Sequence, residues 1–116
     1  MPTYVSLEND VEIWGRARGI IQNGKPMGQA IKTLEETTEL IDAINRNDKD
    51  DIMDAIGDIV VTLLMQCAIQ NVSLSECLEK AYEQIKDRKG YLTPDGIFHK
   101  ESPPHLEVIA GFKQET

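Results

Sequence analysis

The sequence predicts an all-α fold, a four-helix antiparallel bundle followed by a short C-terminal hairpin or extended tail. Three observations carry that expectation. Apolar residues recur at helical spacing in four successive segments, stop or cap signals separate those segments, and the periodicity ends near Gly90, where prolines and glycines take over. Residues 1–90 are expected to form the helical part and residues 91–116 the hairpin or tail of the same domain. With 116 residues and 41% hydrophobic side chains, one core forms without disulfide or metal staples.

The first helix is expected from about Ser6 to Ile21, where Val11, Trp14, Arg18 and Ile21 recur on one face and Asn23-Gly24 supplies the stop. Pro26 suits the first turn of the second, which carries Met27, Ala30, Ile31, Leu34, Thr38, Ile41 and Ala43 on its way to Asn45. Asn47 or Asp48 caps the third, with acidic residues crowding the positive end of its dipole. Ile52, Ile56, Val60, Leu63, Leu64 and Cys67 continue that helix to about Gln70. Ser73-Leu74-Ser75-Glu76 reads as a capping box opening the fourth helix, through Leu78, Ala81, Tyr82 and Ile85. Short connections favour antiparallel neighbours. In the tail, apolar residues flank a Pro94-Asp95-Gly96 turn, which suits a small hairpin over Tyr91 to Phe98. The residues from Glu101 onward are expected to order only against a partner subunit, if at all.

Asp and Glu total 20 against 12 for Lys and Arg, a net charge of −8, and such a field repels a nucleic acid backbone. No nucleic acid partner is expected. A small phosphorylated ligand remains compatible, because a divalent cation held by the surplus carboxylates reverses the local sign. Cys67 and Cys77 belong to no CxxC pair or Cys/His cluster and read as reduced core thiols. The longest mostly apolar run, Ile59 to Ile69, is too short to span a bilayer and no secretory leader opens the chain, so cytoplasmic residence without a membrane partner is the expectation.

The candidate chemistry lies in carboxylates. Glu35, Glu36 and Glu39 fall within an arc of about 100° on the second helix, with no Lys or Arg four residues downstream of any of them. On its own such a motif is commonly a solvated acidic face. On the third helix, however, Asp58 directly precedes Ile59-Val60-Val61-Thr62-Leu63-Leu64-Met65, which is hydrophobic nearly all round. A charge at the edge of a core needs a cation or dense hydrogen bonding, since burying it unpartnered costs several kcal/mol. A hairpin turning between Asn45 and Lys49 brings the Glu35–Glu39 and Asp54–Asp58 turns level, each about 15 Å of helical rise from its centre. Four or five carboxylates without a histidine between them select a hard ion, Mg²⁺ or Mn²⁺. A di-iron bundle needs Glu-x-x-His pairs, and the two histidines, His99 and His105, are in the tail.

With these residues in view, the sequence resembles the MazG-like all-α nucleoside triphosphate pyrophosphohydrolases, whose motif is EExxE on one helix and ExxD on the next. Glu35, Glu36 and Glu39 match the first part, and Gly57-Asp58 before an apolar helix matches the end of the second. The similarity runs from about Trp14 to Arg88, and Lys86-Asp87-Arg88-Lys89-Gly90 also resembles short single-domain members. One position departs: three residues before Asp58, where the family has Glu, this chain has Ala55, and Asp54 is the nearest replacement.

The resemblance implies a bundle of the all-α NTP pyrophosphatase type and Mg²⁺-dependent hydrolysis, with water attacking the α-phosphorus of an NTP or dNTP to release pyrophosphate. It implies Glu36, Glu39, Asp54 and Asp58 as metal ligands, with Glu35 or Glu39 taking the proton. Lys86, Arg88 and Lys89 would grip the β- and γ-phosphates, although cations at a helix end also simply complement its dipole. Trp14 sits where such proteins line the nucleotide pocket, but a large aromatic at helical spacing more often packs inward. Lys32 is a solvated position by default, or else pairs with Glu35 and Glu36 and tunes the site. Gly57 costs a mid-helix position about 1 kcal/mol relative to Ala, for which close approach of another helix is the simplest compensation. Two other readings compete: a noncatalytic acidic helical adaptor, and an enzyme like phosphoribosyl-ATP pyrophosphohydrolase, whose further His and Tyr landmarks are absent here. A homodimer or homotetramer is expected, because the third helix is apolar around more of its circumference than one short chain covers; helix one and the Tyr91 to Phe98 segment are the expected contacts.

Overall fold

A computed structural model describes residues 1–101, so the tail beyond Glu101 and its expected ordering lie outside the described residues. The helices are α1 (Tyr4–Ala17), α2 (Ile20–Asn23), α3 (Pro26–Asn45), α4 (Lys49–Gln70) and α5 (Leu74–Ile85), and the strands β1 (Gly90–Leu92) and β2 (Phe98–Lys100) follow. The fold is all-α with a two-stranded hairpin. The described residues divide into two compact units, the second beginning at residue 79.

In the first unit, α1 begins at a capping box in which the Thr3 hydroxyl accepts from the Ser6 amide and the Ser6 hydroxyl from the Thr3 amide. The single helix expected through Ile21 is broken. Gly19 adopts the left-handed region at φ 77°, its amide donating to the Arg16 carbonyl, and the chain turns into the short α2. A glycine ends a helix this way because it lacks the Cβ that penalises positive φ. α1 lies close on α4: a Cβ at Gly15 would come within 2.4 Å of the Met65 sulfur. Gly24 is as confined, a Cβ there falling 2.4 Å from the Ile20 carbonyl oxygen.

The hairpin of α3 and α4 is the centre of this unit. Pro26 starts α3, and Asp48 caps α4 by accepting from the Asp51 amide at 3.1 Å. Gln66 Nε2 donates to the Pro26 carbonyl at 2.9 Å, and the Thr33 and Thr62 hydroxyls meet at 2.8 Å, which fixes an antiparallel register. That register puts Glu36 level with Asp58, and Glu39 level with Ala55. Gln29, Thr33, Glu36 and Ala43 on α3 face Ala55, Asp58, Thr62 and Met65 on α4. The seam within the chain is therefore the partly polar face of α3. Its apolar stripe points away: Met27, Ile31, Leu34 and Ile41 are exposed, as are Met53, Ile56 and Leu63 on α4.

α4 is also more apolar than the Ile59 to Ile69 run alone suggested, since it contains an 18-residue stretch of mean hydropathy 1.8, long and apolar enough to cross a membrane. Here it packs against α1, α2 and α3 and carries Asp54 and Asp58. The capping box at Ser73 forms as expected, its hydroxyl accepting from the Glu76 amide while Glu76 Oε1 accepts from the Ser73 amide at 3.1 Å. Cys67 is buried but Cys77 is exposed, so only one of the two expected core thiols is in the core. A Cβ added at Gly57 would meet nothing within 4 Å beyond its own helix, so among the described residues no helix packs against that position as expected.

In the second unit, β1 and β2 pair antiparallel with Tyr91 opposite His99, whose rings stack at 5.6 Å. The expected turn connects them: Gly96 takes φ 85° and the Thr93 amide donates to the Ile97 carbonyl at 2.9 Å.

Candidate active site

A cleft of about 470 Å³ opens in the first unit beside the α3–α4 seam. Glu36 and Lys32 from α3 and Asp58 from α4 form its polar end; Trp14, Ile20, Val61 and Met65 form its apolar side. Each helix supplies these groups for a local reason. Gln29, Thr33 and Glu36 stand three or four residues apart and so share one face of α3, as Asp58, Thr62 and Met65 do on α4.

Glu36 is the buried charge of the site, at 9% exposure. Its Oε2 lies 3.5 Å from Lys32 Nζ, while its Oε1 is buried with no hydrogen-bond partner. An unpartnered carboxylate oxygen in a core is costly and marks a position suited to a cation. Asp58 is half-buried beside it. Burial foremost, then the charges of Asp54 and Glu36, raise the Asp58 carboxyl above its ordinary pKa, with Lys32 opposing. Two acids that resist sharing negative charge are the donor set a hard divalent cation relieves; Mg²⁺ in particular is often held by one or two carboxylates plus phosphate oxygens.

The remaining sequence-selected carboxylates line other surface, although Asp54 is near enough for its charge to act on Asp58. Glu39 and Asp54 line an adjoining cleft with Asp42, Asp51 and Arg46. Ala43 and Ala55, both buried, lie in the seam there, and Asp54, one residue along, is exposed at its flank. Four or five converging carboxylates thus resolve into two pairs in neighbouring clefts, and among the described residues no three His, Cys, Asp or Glu side chains gather closely enough to hold one ion. Glu35 is exposed and held by Lys32 at 3.3 Å. Lys32 does pair with both glutamates, and they raise its pKa, the Glu35 hydrogen bond most.

Trp14 is 42% exposed rather than packed in the core, because its position on α1 overhangs the cleft; Arg18 stacks on its ring at 5.7 Å. Lys86, Arg88 and Lys89 belong to the second unit and follow the end of α5 at Ile85. Within it Lys86 pairs with Glu83 at 2.9 Å and the Lys89 carbonyl accepts from the Glu101 amide. Sequence reasoning passed over Gln29 and Thr33, although their spacing from Glu36 places them on its face. Ile20 was hidden by the unexpected break at Gly19.

No solved structure matches the chain. Among curated proteins, an "Uncharacterized 18.2 kDa protein in rep-hol intergenic region" of Haemophilus phage HP1 (strain HP1c1) is 34% identical over 80 residues, 69% of this chain. The match spans about half, 48%, of that relative's length. The profile of the MazG nucleotide pyrophosphohydrolase domain matches residues 28–93, from the first turn of α3 through α4 and α5 to the hairpin turn, and on that match over most of its helical length the chain belongs to the MazG nucleotide pyrophosphohydrolase family.

Proposed function

We propose that this protein hydrolyses ribo- or deoxyribonucleoside triphosphates to the monophosphate and pyrophosphate. The observation that carries the reading is Glu36: a buried carboxylate with an unpartnered oxygen, level with an Asp58 whose ionisation is already disfavoured, at the polar end of a cleft of about 470 Å³. An adaptor has no use for that arrangement.

Glu36 and Asp58 are the ligands to Mg²⁺ or Mn²⁺ in this reading, with Glu39 and Asp54 in the adjoining cleft as further carboxylates toward a second ion. When bound, the ion neutralises the triphosphate and acidifies the attacking water. The water oxygen bonds to the α-phosphorus as the bond from that phosphorus to the bridging oxygen breaks, and pyrophosphate leaves with the bridging oxygen. The water's proton passes to Glu35 or Glu39. Lys32 engages Glu35, and Glu39 lines the adjoining cleft. In this reading Lys32 turns from the glutamates toward phosphate and Trp14 covers the base.

The working unit in this reading is a homodimer or homotetramer in the cytoplasm. The exposed stripe of Met27, Ile31, Leu34 and Ile41 supports it, because such a row on one helix face is apolar surface that a second copy covers at low cost. Hydrolysis in ¹⁸O-labelled water tests the chemistry. The label is expected in the nucleoside monophosphate; label in the pyrophosphate, or orthophosphate as product, overturns attack at the α-phosphorus.

A further inference from the structure

Cys67 and Cys77 are outside the cleft and the chemistry above uses neither. Cys67 lies on α4 and Cys77 in the first turns of α5, and their sulfurs are 4.0 Å apart. Both belong to the first unit. The connection between them is held by its own hydrogen bonds: Asn71 ends α4 in the left-handed region at φ 60°, the Val72 amide donates to the Cys67 carbonyl at 2.9 Å, and the Ser73–Glu76 capping box fixes the start of α5. The thiols are thus aligned by a rigid corner. From 4.0 Å the two sulfurs need to close by about 2 Å to reach a disulfide bond length of about 2.05 Å.

We propose that Cys67 and Cys77 form a reversible intramolecular disulfide, an oxidative modification site that staples the α4–α5 corner. The two sulfurs have different roles. Cys77 is exposed, and its thiolate is the one that meets an external oxidant. Burial above all, then the hydrogen bond to Cys77, pushes the Cys67 thiol up to about 11, so Cys67 stays protonated and acts second. With a small-molecule disulfide such as oxidised glutathione as the oxidant, the Cys77 thiolate attacks one sulfur, the S–S bond breaks and one glutathione thiolate leaves. Cys67 then gives its proton to water and attacks the Cys77 sulfur, expelling the second glutathione. Two electrons pass from the cysteine pair to the oxidant, and two glutathione thiols result.

The full chain is incubated with oxidised glutathione under native conditions, then analysed by intact mass, by peptide mapping without reduction and by thermal melting. A mass loss of 2 Da with a Cys67–Cys77 cross-linked peptide is expected, together with a Tm raised by roughly 5–10 °C that returns on reduction. Cys67→Ala is expected to stop at one glutathione adduct on Cys77, and Cys77→Ser to remain unmodified over the same period. A stable glutathione adduct on the wild-type chain, a cross-link between two chains, or two free thiols after prolonged incubation overturns the proposal. None of these outcomes depends on nucleotide hydrolysis.

Discussion

Asp58→Asn removes one charge from the proposed metal pair at nearly constant volume, and two effects of opposite sign follow. In the protein without metal, Asp54 precedes Asp58 by one helical turn, a like-charge pair that destabilises a helix by about 0.2–0.5 kcal/mol. Glu36 adds to that repulsion and burial to the cost of ionising Asp58. The variant is therefore expected to melt about 1–2 °C higher than wild type when no divalent ion is present. With Mg²⁺ and nucleotide the sign reverses. A unit charge pair about 4 Å apart at an effective dielectric of about 20 is worth about 4 kcal/mol, so loss of this ligand should cut turnover about 10³-fold. The assay is pyrophosphate release at saturating nucleotide across a Mg²⁺ series, beside melting curves in chelator. Turnover within tenfold of wild type would refute the metal assignment, and a large fall in Tm in chelator would make Asp58 a structural hydrogen-bond partner instead.

Other substitutions probe the same account. Gly57→Ala should raise Tm by about 4 °C, corresponding to about 1 kcal/mol, because nothing lies within 4 Å of the added methyl; a fall would mean that a second copy packs there. Gly24→Ala should cost about 1–3 kcal/mol by urea denaturation, since its Cβ meets the Ile20 carbonyl at 2.4 Å, and a neutral result would show that α2 shifts freely. The raised pKa of Asp58 means that the fold binds its proton more tightly than the unfolded chain does. Its favourable contribution is complete below the ordinary value of 3.8 and is lost as pH rises through the raised one. The Tm advantage of Asp58→Asn without metal should accordingly grow between pH 4 and pH 7, and a constant difference contradicts the shift. Asp54→Ala should lower kcat and raise the Mg²⁺ requirement less than Asp58→Asn does, because Asp54 stands in the adjoining cleft; loss equal to that of Asp58→Asn would place both on one ion.

Local signals were the legible part of the fold. Pro26, Asp48 and Ser73 start three helices through chemistry that needs no tertiary contact, and Pro94-Asp95-Gly96 makes its turn for the same reason. That the Glu35–Glu39 turn lies near the Asp54–Asp58 turn was legible too, because equal distances from a tight turn bring residues level in any helical hairpin. Facing was not legible. Periodicity assigns Met27, Ile31, Leu34 and Ile41 to one stripe of α3 without saying whether this chain or another covers it, and the chain uses the opposite, partly polar face. The break at Gly19 was hidden because a glycine inside an apolar pattern fits a helix until tertiary packing asks for positive φ. That Glu39 and Asp54 line a cleft other than that of Glu36 and Asp58 was not legible either, because helical spacing alone does not say which cleft a carboxylate lines.

Pyrophosphohydrolysis at a carboxylate–metal site is tested by product analysis over a panel of NTPs and dNTPs with Mg²⁺. Pyrophosphate and the matching monophosphate are expected from at least one member of the panel, with both abolished by chelator and by Asp58→Asn. Orthophosphate as the product, turnover indifferent to chelator, or no turnover of any member with Mg²⁺ or Mn²⁺ would contradict it.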